Sequence, residues 1–150
     1  MPVPFFFFKF DAKNELVKIT YTDTSYTTFT YNGSGARVEI QEYNSSHSLT
    51  STKWFVGNEE RDGSNTTTRR YFAQGEQRIV SGTATNYFYT FDHLSSIREL
   101  IANDGSTISA RYSYDPYGRR TKVSGSIDCD FGFTGYYHHA TSEVNSTSQP

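Results

Sequence analysis

The residues best suited to chemistry are Asp128, Cys129 and Asp130, a thiol flanked by two carboxylates. At i and i+2 on a strand the carboxylates share a face and repel, unless one pKa rises or a cation sits between them. In a pocket such a pair could do acid–base work. Outside one it is a solvated face just before Phe131, and that is the reading adopted. Cys129 then points inward as a small apolar residue. A nucleophilic cysteine wants a base and positive potential, and two aspartates raise its pKa instead. His138 and His139, with His93 or Glu143, offer metal-binding nitrogens and oxygens. Adjacent strand residues face opposite ways, however, and no usual ligand spacing is met. A Ser-His-Asp set can be drawn among the many serines, but no nucleophile-elbow motif supports it. No catalytic residue, metal site or cofactor is assigned.

Two arginine pairs, Arg69-Arg70 and Arg119-Arg120, lie among tyrosines and could line a strip for sugar or nucleic acid. The simpler reading stacks them on tyrosines and pairs them with acidic residues across strands. A net charge of −2 and a pI near 6.1 argue against nucleic acid or an anionic surface as partner. Exposed aromatic ladders do suit carbohydrate, which stays as the second function. Asn-x-Ser/Thr sequons at Asn32, Asn44, Asn65 and Asn145 matter only in a eukaryotic secretory setting. One cysteine excludes both an internal disulfide framework and a cysteine-based zinc site.

The elements that must hold these residues are strands. Only 35% of the chain is hydrophobic, and mean hydropathy is −0.66, yet 17% is aromatic, which disordered chains are not. There are 12 Tyr, 12 Phe and 19 Thr but only 4 Leu, a set that suits pleated, half-buried surfaces rather than helices. No apolar run approaches the ~20 residues of a membrane-spanning helix. Met1 to Phe8 lacks the basic start of a signal peptide, and Lys9 and Asp11 follow its short apolar run. The phenylalanines read instead as the end of a buried strand whose partners lie outside the chain. Left exposed, they make a sticky edge.

A ten-residue unit recurs, with an aromatic residue first and a turn-former fifth. It starts at Phe10, Tyr31, Tyr71, Phe91 and Tyr114, with a degenerate copy at Trp54 whose fifth residue is Asn58. Each unit reads as strand, tight turn, strand. The aromatic ends one strand, and the following Asp11, Asn32, Asp92 or Asp115 bonds to backbone N–H groups. Asn14, Gly35, Gly75 and Gly118 supply the residue that tolerates positive φ. An alternating strand follows, with Val17, Ile19 and Tyr21 on one face and Leu16, Lys18 and Thr20 on the other. Asp62-Gly63 and Asp104-Gly105 add further hairpins. His93 lies inside a turn and is read as holding it by a hydrogen bond. No gap can hold a crossover helix, so the chain reads as all-β, an antiparallel hairpin meander.

These units resemble the YD repeat of bacterial Rhs proteins, roughly Y-D-x-x-G-R before an alternating strand. Four blocks in order resemble the Rhs repeat-associated core domain. They are Phe91-Asp92-His93-Leu94-Ser95-Ser96-Ile97-Arg98, then Asn103-Asp104-Gly105, then Tyr114-Asp115-Pro116-Tyr117-Gly118-Arg119, then Phe131-Gly132-Phe133-Thr134-Gly135. The resemblance covers residues 10 to about 137 and is weakest over 41–66. It implies a segment of a larger curved β-sheet shell that encloses a C-terminal toxin in bacterial competition or toxin-complex systems. Related repeats build the barrel of teneurin adhesion proteins. Departures are equally informative. Ser95 stands where the family has Gly, which implies a strained or reshaped turn, and Asn14 and Ala36 replace common Gly and Arg. The family's later Arg-Tyr-Tyr-Asp-Pro segment and self-cleaving D-P-x-G pair have no counterpart, since Asp115-Pro116 matches the upstream turn.

The expected organisation is a hydrophobic segment at 1–9, YD-type repeats at 10–90, a core-like region at 91–137 and a polar, disordered tail at 138–150. The expected function is structural and non-enzymatic, with neighbouring repeats and a toxin of the full-length protein as partners. The alternatives are a carbohydrate- or cell-surface-binding module and a non-functional remnant of a larger Rhs gene. The resemblance implies a secreted or surface-associated parent, with this fragment alone cytoplasmic.

Overall fold

The computed structural model describes residues 6–139 and the backbone of 144–146. It is all-β, as the composition requires. The strands are β1 (Phe7–Phe10), β2 (Leu16–Thr20), β3 (Tyr26–Tyr31), β4 (Arg37–Tyr43), β5 (Leu49–Val56), β6 (Glu59–Asp62), β7 (Thr67–Phe72), β8 (Gly75–Val80), β9 (Thr83–Phe91), β10 (Ile97–Ala102), β11 (Ile108–Tyr114) and β12 (Arg120–Gly125). Sheet order follows chain order from β1 to β12, and every described pairing is antiparallel. A 3-10 turn (Phe133–Gly135) and a small hairpin of β13 (Tyr137–His139) with β14 (Val144–Ser146) follow.

One turn geometry builds most of the hairpins. At Asp11, Asn32, Asn44, Asp62, Asp92 and Asp115 the residue's N–H donates to the carbonyl four residues on, and its own carbonyl accepts from the N–H three residues on. The side-chain Oδ1 accepts from the N–H groups two and four residues on, as Asp92 does from Leu94 and Ser96 at 2.9 Å each. The fourth residue of each turn takes positive φ: Asn14, Gly35, His47, Asn65, Ser95 and Gly118. This is a three-residue loop closed by a left-handed residue, whose bulge shifts the register beside it. The turn at Tyr21 has the same backbone bonds but lacks the leading carboxylate or amide, and Asp23 instead accepts from Ser25.

Several expectations about turns are corrected. Tyr43-Asn44, rather than Trp54, starts the extra copy; Asn58 lies in a two-residue Gly57-Asn58 hairpin between Val56 and Glu59. The expected Asp62-Gly63 hairpin forms, with Asn65 as its positive-φ residue. Gly75 lies outside the positive-φ region. It opens β8 where a Cβ would meet the Tyr87 carbonyl oxygen at 2.1 Å, so close strand approach is what demands glycine there.

The chain divides into two compact units, Met1–Thr68 and Arg69–Gln149. In the first, Ile19, Phe29, Ile40 and Phe55 are buried together with Thr27, Arg37 and Glu60. Tyr21 Oη and Thr27 Oγ1 are 2.7 Å apart, and Thr27 donates to Glu42 at 2.6 Å, so polar side chains are satisfied across strands. Phe7, Phe8 and Phe10 are exposed on β1, which pairs with β2, so in this chain by itself the phenylalanine run is an open face. Residues 1–5 of the expected hydrophobic segment lie outside the described residues.

In the second unit Tyr71, Ile97, Leu100, Ala110 and Tyr112 form one sheet face. Cys129, Phe131 and Tyr137 are buried too, on the segment after β12. Of the segment expected to be a polar tail, His138 and His139 lie in β13 and are buried, Val144–Ser146 forms β14, and the rest lies outside the described residues.

Candidate functional site

The repeat residues act mainly through their backbone. Asp11 accepts from the N–H groups of Glu15 and Lys13, which hold its carboxyl below the usual range despite some desolvation. Partial burial alone would raise Asp92, but the N–H groups of Ser96 and Leu94 outweigh it and hold it low. Asp115 accepts from Tyr117 and Arg119 at 2.9 Å, leaving the Arg119 side chain exposed and Pro116 inside the turn. Gly35 and Gly118 have φ of 83° and 85°. A Cβ on Gly118 would stand 2.7 Å from the Phe133 ring, tying that turn to the 3-10 turn and Gly135.

The leading aromatics differ in role, and Tyr71 is buried with its hydroxyl donating to Asp130. Tyr31 and Tyr114 donate across the sheet to the carbonyls of Leu16 (2.9 Å) and Ile97 (2.7 Å). Phe10 and Phe91 stay about half exposed. His93 is exposed, and the bonds holding its turn belong to Asp92, so the expected role for His93 passes to its neighbour. Ser95 keeps the glycine-like turn intact with φ of 64°, the strained outcome of the two expected.

The densest chemistry lies where segment 126–139 packs on the sheet of the second unit. Glu76 is fully buried at β8. It accepts from Tyr89 Oη at 2.7 Å and Arg78 Nε at 2.5 Å, with Arg69 at 4.0 Å. Asp130 accepts from Arg69 and from Tyr71 Oη, the latter at 2.6 Å. The backbone of the segment is gripped as well. Tyr112 Oη accepts from the Cys129 N–H at 2.8 Å and donates to the Ile127 carbonyl at 3.0 Å. Arg120 donates to the Cys129 carbonyl at 2.6 Å while lying over the Tyr112 ring, and Arg78 donates to the Asp128 carbonyl. Thr134 N–H donates to Ser96 Oγ, and Ile97 N–H to the Gly132 carbonyl. The segment is a strap laid across the sheet.

This arrangement is poor at catalysis and good at holding. Burial, reinforced by Glu76 3.9 Å away, pushes the Cys129 thiol far above its ordinary value. Desolvation likewise raises Tyr89, and raises Tyr112 to about 12. The two aspartates diverge. Asp128 is solvated, as expected, and pairs with Lys122 at 2.8 Å. Asp130 is part-buried instead, and its carboxylate is held by Arg69 and Tyr71. Among the described residues no group of three His, Cys, Asp or Glu side chains could hold a metal ion. Sequence reasoning missed Glu76 altogether; its only signal was a carboxylate opposite two tyrosines, Tyr71 and Tyr87, in a strand register not yet known.

No family model and no curated protein matches the sequence. Solved structures do match. The crystal structure titled TcdB2-TccC3-Cdc42 aligns with a TM-score of 0.70 at 15% identity over 91% of this chain. TcdB2-TccC3-TEV gives 0.70 at 16%, and TcdB2-TccC3 without the hypervariable C-terminal region gives 0.63 at 15%. In each case the chain spans 8% of the matched chain. At such identity the likeness is one of fold. The antiparallel hairpin meander of this chain is the fold it shares with a stretch of TcdB2-TccC3, and it fits the YD-repeat resemblance of the sequence.

Proposed function

We propose that the chain is a structural segment of an Rhs/YD-repeat β-shell, serving a protein whose C-terminal part is the enclosed toxin. The observation that carries this reading is the uninterrupted run of twelve antiparallel strands joined by one recurring turn, matched over 91% of its length within much longer chains. Such a sheet has no intrinsic end, and its units are stabilised by neighbours. The hypervariable C-terminal region named for TcdB2-TccC3 accords with a constant wall and variable cargo. Residues 10–90 act as repeats and 91–137 as the core-like region, with no enzymatic role. Cryo-electron microscopy of the polypeptide encoded by the continuous reading frame tests this. Further strands hydrogen-bonded to β1, around an enclosed volume, are expected; a solvent-exposed β1 edge in that particle would end the proposal.

Carbohydrate binding is the second reading, favoured by one outward row. Phe72, Gly75 and Phe88 are cross-strand neighbours, and both phenylalanines are about 40% exposed. Beside them Arg70, Gln77 and Asn86 form a hydrogen-bonded ladder of planar polar groups. Glycan-array binding lost in Phe72→Ala and Phe88→Ala would support it, and a silent array would remove it.

A further inference from the structure

The strap contains a buried group that its own bonds leave unused. His138 is 6% exposed, and its Nδ1 is buried without a hydrogen-bond partner. Its backbone N–H donates to the Asp130 carbonyl at 2.6 Å, so the ring is fixed to the stretch that Arg69, Tyr71, Tyr112 and Arg120 grip. The charged groups around the ring are mostly of the wrong sign for a proton. Arg120 comes from β12 and His139 from β13 itself, against Asp128 from the strap, which is half solvated and already paired with Lys122. Tyr114, from β11, is a neutral phenol beside Gly132. The 3-10 turn and β14 contribute no titratable residue. A proton on His138 therefore creates a buried cation next to the Arg120 guanidinium, and a hydrogen bond to its own backbone and the attraction of Asp128 offset this only in part.

We propose that residues 126–139 form an acid-released clasp, with His138 as its sensor: the strap docks on the β7–β12 sheet while His138 is neutral and lifts when it is protonated. Desolvation first, and Arg120 second, lower the docked imidazole to about 4 from an ordinary 6.5. The sign follows by linkage. The lifted strap holds more protons between those values, so docking is strongest above about 6.5 and weakens as pH falls towards 4. The expected change approaches ~10-fold per pH unit inside the window, on the order of 100-fold in all. Below the docked value, His138 adds nothing further.

Cys129 is the chain's single cysteine, sits in the strap and is 2% exposed, so it reports docking directly. The test labels it in the full chain with 4,4′-dithiodipyridine from pH 7 to 4. Each rate is divided by that of the urea-unfolded chain at the same pH, and far-ultraviolet circular dichroism is followed in parallel. Protection should fall steeply below pH 6.5 while the β signal persists, and the fall should vanish in His138→Phe. His138→Gln gives the same answer should the larger ring fail to pack. Flat protection in the wild type, an unchanged fall in both variants, or loss of the β signal together with protection would each overturn the clasp.

Discussion

At the scale of single residues, the turns obey one rule: a side-chain acceptor two and four residues ahead of its donors, then a left-handed residue. Asp92→Ala removes two charge-assisted bonds to backbone N–H and should cost about 1–2 kcal/mol in urea unfolding. Because the Asp92 carboxyl is lowered, its contribution is complete above the ordinary aspartate value and fades as pH drops through the lowered one. Ser95 holds φ of 64° without being glycine. Ser95→Gly should therefore stabilise by about 1 kcal/mol, less the extra backbone entropy it frees in the unfolded chain. Both the leading Asx and the fifth-place residue were readable in the sequence, since this turn chemistry is local. Gly75 was misread, because its constraint comes from Tyr87 on another strand, not from its own turn.

At the scale of elements, what matters is how strands approach and how the strap is held. Gly75→Ala places a methyl carbon on the Tyr87 carbonyl, and should separate β8 from β9 with a loss of about 3 kcal/mol or more. Thermal melts monitored by circular dichroism check this. Tyr112→Phe keeps the ring under Arg120 but leaves the Cys129 N–H and Ile127 carbonyl without their partner. It should cost about 1–3 kcal/mol and raise amide exchange in 127–131 ahead of the sheet. Strand positions followed from alternation and turn signals. The strap did not, because Ser126 to Asp130 carries no periodicity, and its order comes from arginines and tyrosines donated by distant strands.

At the scale of the whole molecule, β1 offers a phenylalanine-rich edge with Lys9 as its one charge, whereas β12 carries Arg120 and Lys122. Unguarded edges of this kind recruit other strands. Phe8→Lys should reduce self-association, read by light scattering at fixed concentration, while Val123→Lys on already-guarded β12 should not change it. Repeats stabilised by neighbours also predict broad, weakly cooperative thermal unfolding of the isolated chain. A sharp transition at high temperature would count against a shell segment.

The sequence alone determined an all-β antiparallel meander and most of its turns, because strand alternation and Asx hydrogen bonding act within a few residues. The structure decided which face each strand buries, that Glu76 becomes a buried and Asp130 a part-buried partnered carboxylate, and that 126–139 lies across the sheet. Those outcomes depend on register and on contacts more than 50 residues apart, as between Arg69 and Asp130. No local pattern encodes them, since a one-residue change of register would send every side chain of a strand to its other face.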